Sequence, residues 1–178
     1  MGSIKNHPPV RLVIGLTYTP DINPEQIYES LEQKYSSIEE RSQSYDFSSF
    51  TPYYAREMGD DLAKLFLVFA RLIDPILLPE IKNTTNFFEK DFARNERRQV
   101  NLDPGYISEA KLVLATTKNY AHRIYLDKGI FGDIHLAYTN QSFQKQPWTY
   151  PDYQQKEIID FFNNVRLKYL HQIGEQNF

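Results

Sequence analysis

The segment KLFLVFARLI, residues 64–73, is the most apolar stretch of the chain. Its length and its branched and aromatic composition indicate a strand that is covered on both faces, rather than a helix at the surface. Asp74 and Pro75 follow it and are expected to end it. A central strand of this kind needs neighbours, and the flanking sequence predicts several of them.

Two strands and a helix are predicted before this segment. Residues 10–17 (VRLVIGLT) indicate a buried strand because branched apolar residues dominate. Asn23 followed by Pro24 is typical of a helix start, and apolar side chains then recur at helical spacing. Residues 38–47 (IEERSQSYDF) are mostly polar, which favours an exposed or edge strand.

A second helix and a fourth strand are predicted after it. Four side chains between Ile81 and Phe92 fall on one helical face, with Pro79 near the first turn. Residues 97–102 (RRQVNL) indicate a strand, and residues 103–105 (Asp-Pro-Gly) a turn that closes it. Strand, helix, strand, strand, helix, strand is the ferredoxin-like order. We therefore expect an α+β fold with a ferredoxin-like core.

Beyond this core we expect an added helix, a β-hairpin and a long terminal helix. Ser108 would cap a helix over residues 109–117. Residues 127–129 (Asp-Lys-Gly) would close the hairpin, with Gly at positive φ. The expected cross-strand pairs are Leu126 with Ile130, Tyr125 with Phe131, and Arg123 with Asp133. An apolar stripe predicts the last helix over residues 154–172.

Length and composition restrict the classes of protein. With 178 residues, 41% of them hydrophobic, the chain is long enough for one domain with a core. We expect a flexible lead over residues 1–9, a single α+β domain over residues 10–173 and a flexible tail over residues 174–178. The absence of Cys excludes thiol nucleophiles and Cys-ligated metal sites. No targeting segment is recognised and no apolar run reaches membrane length, so we expect a cytoplasmic protein with no membrane partner.

Four segments carry a resemblance to a known family. NLDPGY, AKLVLATTK, HRIYL and PWTYPDY, in this order and spacing, resemble an uncharacterised prokaryotic family, domain of unknown function family 4416. The likeness covers nearly the whole chain. Members are often labelled GTP-binding proteins, so the resemblance implies a nucleotide as a ligand to consider. It brings no catalytic residues with it.

A GTP site of the P-loop type is not supported by the residues. That loop requires Gly, four residues, Gly, Lys and then Ser or Thr, because backbone amides hold the phosphates while Lys and the hydroxyl meet phosphate and magnesium. The seven Gly residues never supply this spacing. Any nucleotide would therefore have to bind by other means.

A basic region is the main candidate for ligand binding. The net charge of the chain is only −3, yet residues 90–128 hold eight bases against five acids. Arg and Lys there would neutralise phosphate, while Asn and Asp would orient polar groups. The ligand-binding candidates are Asn101, Asp103, Lys111, Lys118, His122, Arg123, Trp148 and Tyr150. The alternative is a solvated margin of the fold that meets the acidic half of the chain.

His135 and Asp133 are the catalytic candidates. They share one strand face with Arg123 opposite, and a carboxylate that orients an imidazole can support proton transfer. An ordinary cross-strand salt bridge explains the same residues. His122 and Arg123 are adjacent, so on a strand we expect them to point to opposite faces, with His122 semi-buried among apolar neighbours. No metal site is expected, because the four His are scattered without an HExxH spacing.

PWTYPDY, residues 147–153, has two interpretations. Its rings could stack bases or dock a partner, or the loop could seat Trp148 against the core while Asp152 caps the last helix. The leading hypothesis is a domain, catalytic or not, that binds a phosphate-bearing small ligand such as a nucleotide. The alternative is a non-catalytic protein-interaction module with an aromatic surface, and RNA binding comes third.

Overall fold

One antiparallel sheet organises the chain in the computed structural model, which describes residues 2–95 and 97–175. Its nine strands are β1 (Val10–Tyr18), β2 (Ile38–Arg41), β3 (Tyr45–Asp46), β4 (Ala63–Ile73), β5 (Val100–Ile107), β6 (Lys111–Thr116), β7 (Arg123–Asp127), β8 (Ile130–Thr139) and β9 (Ser142–Lys145). Its helices are α1 (Pro24–Lys34), α2 (Ala55–Met58), α3 (Leu78–Phe88) and α4 (Lys156–Glu175). The strand order is β2-β4-β1-β5-β6-β8-β7, with β3 also beside β4 and β9 also beside β8. The α+β prediction is confirmed at this level.

The apolar segment forms β4, which lies between β1 on one side and β2 and β3 on the other. All five residues from Leu65 to Phe69 are buried, so both faces of the strand are covered, as predicted. Asp74 ends the strand: its Oδ1 accepts a 3.0 Å hydrogen bond from the N–H of Ile76 and caps a short 3-10 turn. Residues 38–47 supply β2 and β3 on the outer side of β4, which confirms the predicted edge position.

Helices cover the two faces of the sheet. On one face α1 and α3 pack through Ile27, Leu31 and Ile81 onto alternate residues of β1, β4 and β5. On the other face α4 packs through Ile158, Phe162 and other side chains of its apolar stripe onto the intervening residues. Asn23 caps α1 as predicted, because its Oδ1 accepts the N–H of Glu25 at 3.2 Å.

The predicted turn at residues 103–105 is wrong, because these residues lie inside β5. Pro104 has no N–H to donate, so it suits a position where a strand loses a partner. β5 pairs with β6 only from Gly105 to Ile107, whereas residues 100–104 pair with β1 alone. A Cβ atom on Gly105 would lie 2.4 Å from the carbonyl oxygen of Val113, so only Gly allows the two backbones to meet there. The two strands therefore part at Pro104.

The predicted third helix at residues 109–117 is also wrong. This stretch forms β6, and Ser108 belongs to the tight turn before it, where its N–H donates to the carbonyl of Lys111 at 2.9 Å. Leu112 to Ala115 are all buried between two helical layers. A short apolar run of this kind fits a covered strand and a buried helix equally well by periodicity.

The hairpin prediction is confirmed for two of its three pairs. Arg123 faces Asp133 and Tyr125 faces Phe131, but Asp127 takes the place opposite Ile130 because Leu126 is an extra residue in a β-bulge. The loop is only two residues long, Lys128 and Gly129, with φ of 51° and 78°. Two positive φ values are typical of the turn that matches the twist of a hairpin.

Three smaller differences concern the chain after β8 and the ends of elements. β9 was not predicted, and a second two-residue turn at Asn140 and Gln141 joins it to β8. Phe92 lies in a 3-10 turn after α3 rather than in the helix itself. The last helix begins at Lys156 and is described to Glu175, while Met1 and residues 176–178, at the ends of the predicted lead and tail, lie outside the described residues.

None of the helices within the described ranges combines the length and apolarity of a membrane span.

The close contact at Gly105 gives a first prediction. Gly105→Ala should lower the free energy of unfolding by at least about 1–3 kcal/mol, because the added methyl group forces β5 and β6 apart. Gly174→Ala is the control, since a Cβ at this position on α4 meets no atom within 4 Å. Urea unfolding followed by circular dichroism measures both. Equal stability of Gly105→Ala and the parent protein would contradict the close approach.

Candidate functional site

The gap where β5 leaves β6 is filled by a charged side chain from α3. Lys82 is buried, and its Nζ donates to the carbonyl of Leu102 at 2.8 Å and to Oδ1 of Asp103 at 3.3 Å. Leu102 lies in the part of β5 that β6 does not pair, so Lys82 bonds backbone that would otherwise face the gap. Polar side chains therefore meet in the middle of the sheet.

Asn101 and Asp103 extend this group along β5. Asn101 donates through Nδ2 to Oδ2 of Asp103 at 2.8 Å and accepts at Oδ1 from Nη1 of Arg98 at 2.9 Å. Burial alone would raise the pKa of Asp103, but the positive charges of Lys82 and Lys64 outweigh it and leave this pKa below its usual value. Asp103 is therefore an ionised acceptor at neutral pH.

Arg98, two residues before β5, pairs with two carboxylates: Glu57 on α2 and Glu89 in the 3-10 turn after α3. Its Nε and Nη2 donate to Glu57 at 3.0 and 2.8 Å, and its Nη1 donates to Glu89 at 3.0 Å. Glu89 also accepts the N–H of Leu102 at 2.7 Å, and burial raises the pKa of this carboxyl group. The guanidinium thus donates to three protein side chains, Glu57, Glu89 and Asn101, and fixes the short segment that carries α2.

Arg123 plays the matching part on β7. Its side chain is only 3% exposed. Nε donates to Oδ2 of Asp133 at 3.0 Å, Nη1 to the carbonyl of Lys118 at 3.1 Å, and Nη2 to the hydroxyl of Tyr150 at 3.1 Å. Its Cζ atom also lies 4.6 Å from the ring centre of Tyr120. Arg123 therefore holds two segments against the sheet: the one before β7, and the aromatic loop, which we define as residues 147–153. Its guanidinium group points into the protein.

His122 and Arg123 converge on one carboxylate, so the prediction that they point apart is wrong. His122 lies in the turn before β7, where the alternation of a strand does not apply. Its Nε2 lies 3.4 Å from Oδ2 of Asp133, but it is not aligned for a hydrogen bond and makes none to any described residue. The imidazole stacks on Trp148 at 4.6 Å with 12° between the rings. Asp133 is thus shared by two adjacent residues.

His135 is fully buried and both of its ring nitrogens face protein groups. Nε2 lies 3.0 Å from the N–H of Tyr150, which can only donate, so Nε2 is the acceptor. Nδ1 then carries the proton and faces Oδ1 of Asp133 at 3.4 Å. Burial lowers the pKa of His135. Burial alone would raise the pKa of Asp133, but the hydrogen bond from His135 and the charge of Arg123 outweigh it, so this pKa is also lowered. A role in proton transfer stays a prediction, whereas the geometry holds Tyr150 in place.

The aromatic loop completes the edge of β8. Ile134 and His135 lie on β8 between the residues that pair with β7 and those that pair with β9. The carbonyl of Ile134 accepts a hydrogen bond from Nε1 of Trp148 at 3.0 Å, and the carbonyl of His135 accepts one from the hydroxyl of Thr149. Asp152 does not cap the last helix, which begins at Lys156. Two carbonyls that lack a strand partner are thus satisfied by side chains, which is the arrangement of a staple.

Asp152 instead forms a buried ion pair. Its Oδ2 lies 2.6 Å from Nζ of Lys64 on β4 and accepts from the hydroxyl of Tyr45 at 3.0 Å, and the side chains of the pair are 2–3% exposed. Lys64 Nζ also lies 4.7 Å from the ring centres of Phe47 and Tyr153. This pair ties the aromatic loop to the central strand.

One part of the cluster faces solvent. Lys118 is exposed. Its Nζ donates to the hydroxyl of Tyr53 and lies 4.4 Å from the centre of the Tyr53 ring. Tyr53, Tyr120 and Tyr150 are 60%, 55% and 41% exposed. Within residues 2–95 and 97–175, no carboxylate pairs with Lys118. We call Lys118, Tyr53, Tyr120 and Tyr150 the tyrosine-lysine patch.

The structure brings most of the predicted ligand residues into one region, in which Arg98 lies over the ring of Tyr54, Tyr54 packs on Tyr53, and Tyr53 accepts from Lys118. They are Asn101, Asp103, Lys118, His122, Arg123, Trp148 and Tyr150. Lys111 is separate, because it begins β6 and lies roughly 16 Å along the strand from Thr116 at 3.3 Å per residue. Sequence reasoning missed Tyr53 and Tyr54, which lie in an irregular segment without periodicity. It also missed Lys64, which begins an apolar run, and Lys82, which lies among mostly polar residues of a helix.

Two cavities lie away from the patch, one beside Leu170 and Gly174 near the end of α4, the other between Tyr35, Arg71 and Asp74. No group of three or more His, Asp or Glu side chains in the described part of the chain is arranged to hold a metal ion. The tyrosine-lysine patch is an open surface that lies over the buried network of charged side chains.

Fold and site together define a mixed α and β domain in which a buried network of charges supports an exposed aromatic surface. The chain matches the family described as domain of unknown function (DUF4416) over residues 8–169, and it belongs to that family. Comparison with curated proteins and with solved structures found no match in either set.

The buried ion pair gives a second prediction. Lys64→Met leaves the carboxylate of Asp152 buried without its cation and should cost about 3–5 kcal/mol of unfolding free energy. Lys64→Met with Asp152→Asn should recover much of this loss, because the uncompensated charge is gone. Lys128→Met is the control, since it breaks an exposed pair with Glu80 and should cost at most about 1 kcal/mol. Equal losses in the two single variants, measured by urea unfolding, would argue against a buried charged pair.

The environment of His135 gives a third prediction. Its pKa is lower in the folded state than the ordinary value of about 6.5, so the unfolded chain binds the proton more readily. The contribution of neutral His135 to the unfolding free energy is therefore fully present above about pH 6.5, and it is lost as the pH drops below that value. His135→Gln should lose less stability than the parent protein between about pH 7.5 and about pH 5.5. Urea unfolding at the two pH values, with His171→Gln as an exposed control, would refute the assignment if all three proteins lost the same amount.

Proposed function

We propose that the protein binds a phosphate-bearing small ligand with a planar ring, such as a nucleotide, on the tyrosine-lysine patch. The observation that carries this proposal is an exposed Lys118 that no described carboxylate neutralises, set among exposed aromatic rings. An ammonium group with free donors attracts phosphate. The other cations of the cluster, Lys82, Arg98 and Arg123, already face protein carboxylates.

The rings supply the second half of such a ligand site. Tyr53, Tyr120 and Tyr150 each leave about half of their surface in solvent. Stacking a base on an aromatic side chain contributes about 1–3 kcal/mol and does not require a particular base. A ligand that joins a base to phosphate would therefore use both kinds of group in the patch.

The buried network supports the proposal by holding these groups before a ligand arrives. Arg123 bonds the carbonyl of Lys118 and the hydroxyl of Tyr150, and His135 bonds the backbone N–H of Tyr150. A site whose groups are already ordered loses less entropy on binding. His135 and Asp133 enter the proposal as positioning residues, because their polar atoms are taken up by this network.

We also propose that the half of the sheet formed by β1, β2, β4 and β5 is a ferredoxin-like unit. The order β2-β4-β1-β5, with antiparallel neighbours throughout, supports this. So does the position of α1 and α3, which follow β1 and β4 in the chain and pack on the same face. In this description the patch lies where the unit meets the strands added after β5.

A protein partner is the second candidate for the same surface. Exposed Tyr rings are frequent in protein interfaces, where they combine apolar area with a polar end. The structural role of Trp148 and Thr149 weakens the version of this idea that relied on the aromatic loop, because both residues bond the edge of β8. The exposed rings of the patch would have to carry the interaction.

Titration with GTP, ATP and pyrophosphate tests the nucleotide proposal. A ligand at 100 times its dissociation constant should raise the unfolding free energy by about 2.7 kcal/mol, visible as a shift of the melting temperature. Lys118→Ala should weaken binding by about tenfold or more. Lys111→Ala is the matched control and should bind like the parent protein, because Lys111 lies outside the patch.

Two results would contradict this proposal. One is the absence of any shift with all three compounds at millimolar concentration. The other is an equal effect of Lys118→Ala and Lys111→Ala, which would mean that charge alone and not the patch attracts the ligand. Tight binding of an RNA oligonucleotide that outcompetes GTP would favour the third hypothesis over the first.

A further inference from the structure

We propose that β7 pairs with β7 of a second copy of this chain, so that two sheets join edge to edge in a symmetric dimer. β7 ends the strand order, and among the described strands it has a neighbour on one side only. Of its five residues, four are exposed. The proposal is independent of any ligand on the tyrosine-lysine patch.

The side chains of β7 are those of an interface rather than of a protected edge. Ile124, Tyr125 and Leu126 are 68%, 57% and 41% exposed, and they are consecutive in β7, where Leu126 is the extra residue of the β-bulge. Edge strands that remain single usually carry charges or Pro that block pairing with another chain. The three central positions of β7 carry neither. Ile134 of β8, at 37% exposure, extends the same apolar surface.

The opposite edge of the same sheet provides the contrast. β2 has the sequence Ile-Glu-Glu-Arg, and its charged side chains are engaged within the chain. Glu39 pairs with Arg11, and Glu40 pairs with Lys168 at 2.7 Å. One edge is therefore blocked by charge and the other is open, which points to a partner at β7 alone.

The backbone of β7 sets the register of the pairing. In an antiparallel ladder alternate residues direct their N–H and C=O groups to opposite sides. The N–H of Arg123 bonds the carbonyl of Tyr120 instead of β8, so Tyr125, two residues later, also turns its polar backbone outwards. A two-fold axis at Tyr125 would then make it a hydrogen-bonded pair with its own copy, at about 5.5 Å between Cα atoms.

This register is self-complementary, which favours a second copy over a foreign strand. Residues directly opposite in a sheet share a face. With the axis at Tyr125, Ile124 lies opposite Leu126 of the other copy, and Leu126 opposite Ile124, so each exposed aliphatic side chain meets another. Asp127 follows the β-bulge at the end of β7, so in an antiparallel pair the acidic residues of the two copies lie at opposite ends of the paired segment. An isologous contact of this kind closes after two copies.

A cysteine at the axis provides the direct test. The chain contains no Cys, so Tyr125→Cys introduces its only thiol. Cα atoms about 5.5 Å apart are well placed for a disulfide. Mild oxidation should therefore convert Tyr125→Cys to a covalent dimer at least about tenfold faster than Ile76→Cys, a control at an exposed site elsewhere. Equal rates for the two variants would overturn the proposal.

Sedimentation of the protein without cysteine gives an independent measurement. A concentration series should show a monomer-dimer equilibrium, and Ile124→Lys should weaken it by about tenfold or more by placing a charge against Leu126 of the other copy. Ile76→Lys is the matched control and should leave the equilibrium unchanged. A parent protein that stays monomeric up to millimolar concentration, or a dimer that tolerates Ile124→Lys, would refute the β7 pairing.

Discussion

The contact between Gly105 and the carbonyl of Val113 is the constraint from which the rest of the architecture follows. Two strand backbones meet there more closely than any side chain would permit, and one residue earlier Pro104 has no N–H to continue the ladder. The first part of β5 therefore pairs on one side only, while β6 turns to β8. A sheet that parts in this way exposes backbone polar groups in the interior, and buried polar groups must find partners. Lys82 and Asp103 meet that need.

The charges that fill this gap form pairs because a buried charge without a partner is costly. Arg98 has two carboxylates, Arg123 shares Asp133 with two His residues, and Lys64 has Asp152. These pairs also connect elements that are distant in sequence, such as β4 with the aromatic loop. The network thus specifies where the irregular segments lie, which apolar packing alone would leave less well determined. Lys118 stands out because it lies at the surface of this network and no carboxylate among the described residues pairs with it.

The sequence was informative where one local pattern dominates. Residues 64–73 could be assigned to a covered strand because every side chain in the centre is apolar, and Asn23 with Pro24 marked the start of α1 by local hydrogen bonding and fixed φ. Residues 103–105 misled because Asp-Pro-Gly has the same composition in a turn and at a point where strands part, and only the position of β6 separates the two. β6 itself misled because a strand buried on both faces loses its alternation.

The candidate site was predicted in part for a related reason. Asn101, Asp103 and Arg123 could be identified because polar residues next to apolar strands are conspicuous in a sequence. The partners that give them their roles, Lys82 on α3 and Tyr53 before α2, come from segments whose approach depends on the tertiary fold. His122 shows the limit of strand alternation: one residue before β7 begins, the rule that would separate it from Arg123 no longer holds, and both reach Asp133.

β7 links the two surfaces for which functions are proposed. The side chain of Arg123 points into the network beneath the tyrosine-lysine patch. The backbone N–H and C=O groups of Tyr125 face the open edge of the sheet. In an antiparallel sheet a two-fold axis at the strand edge is perpendicular to the sheet, so residues that face one side in one copy face the same side in the other. A dimer joined at Tyr125 would therefore present both patches on one side of a continuous sheet. Arg123, which lies beneath each patch, is two residues along β7 from the axis. Pairing would also order the segment from Lys118 to Arg123, because β7 is its downstream anchor.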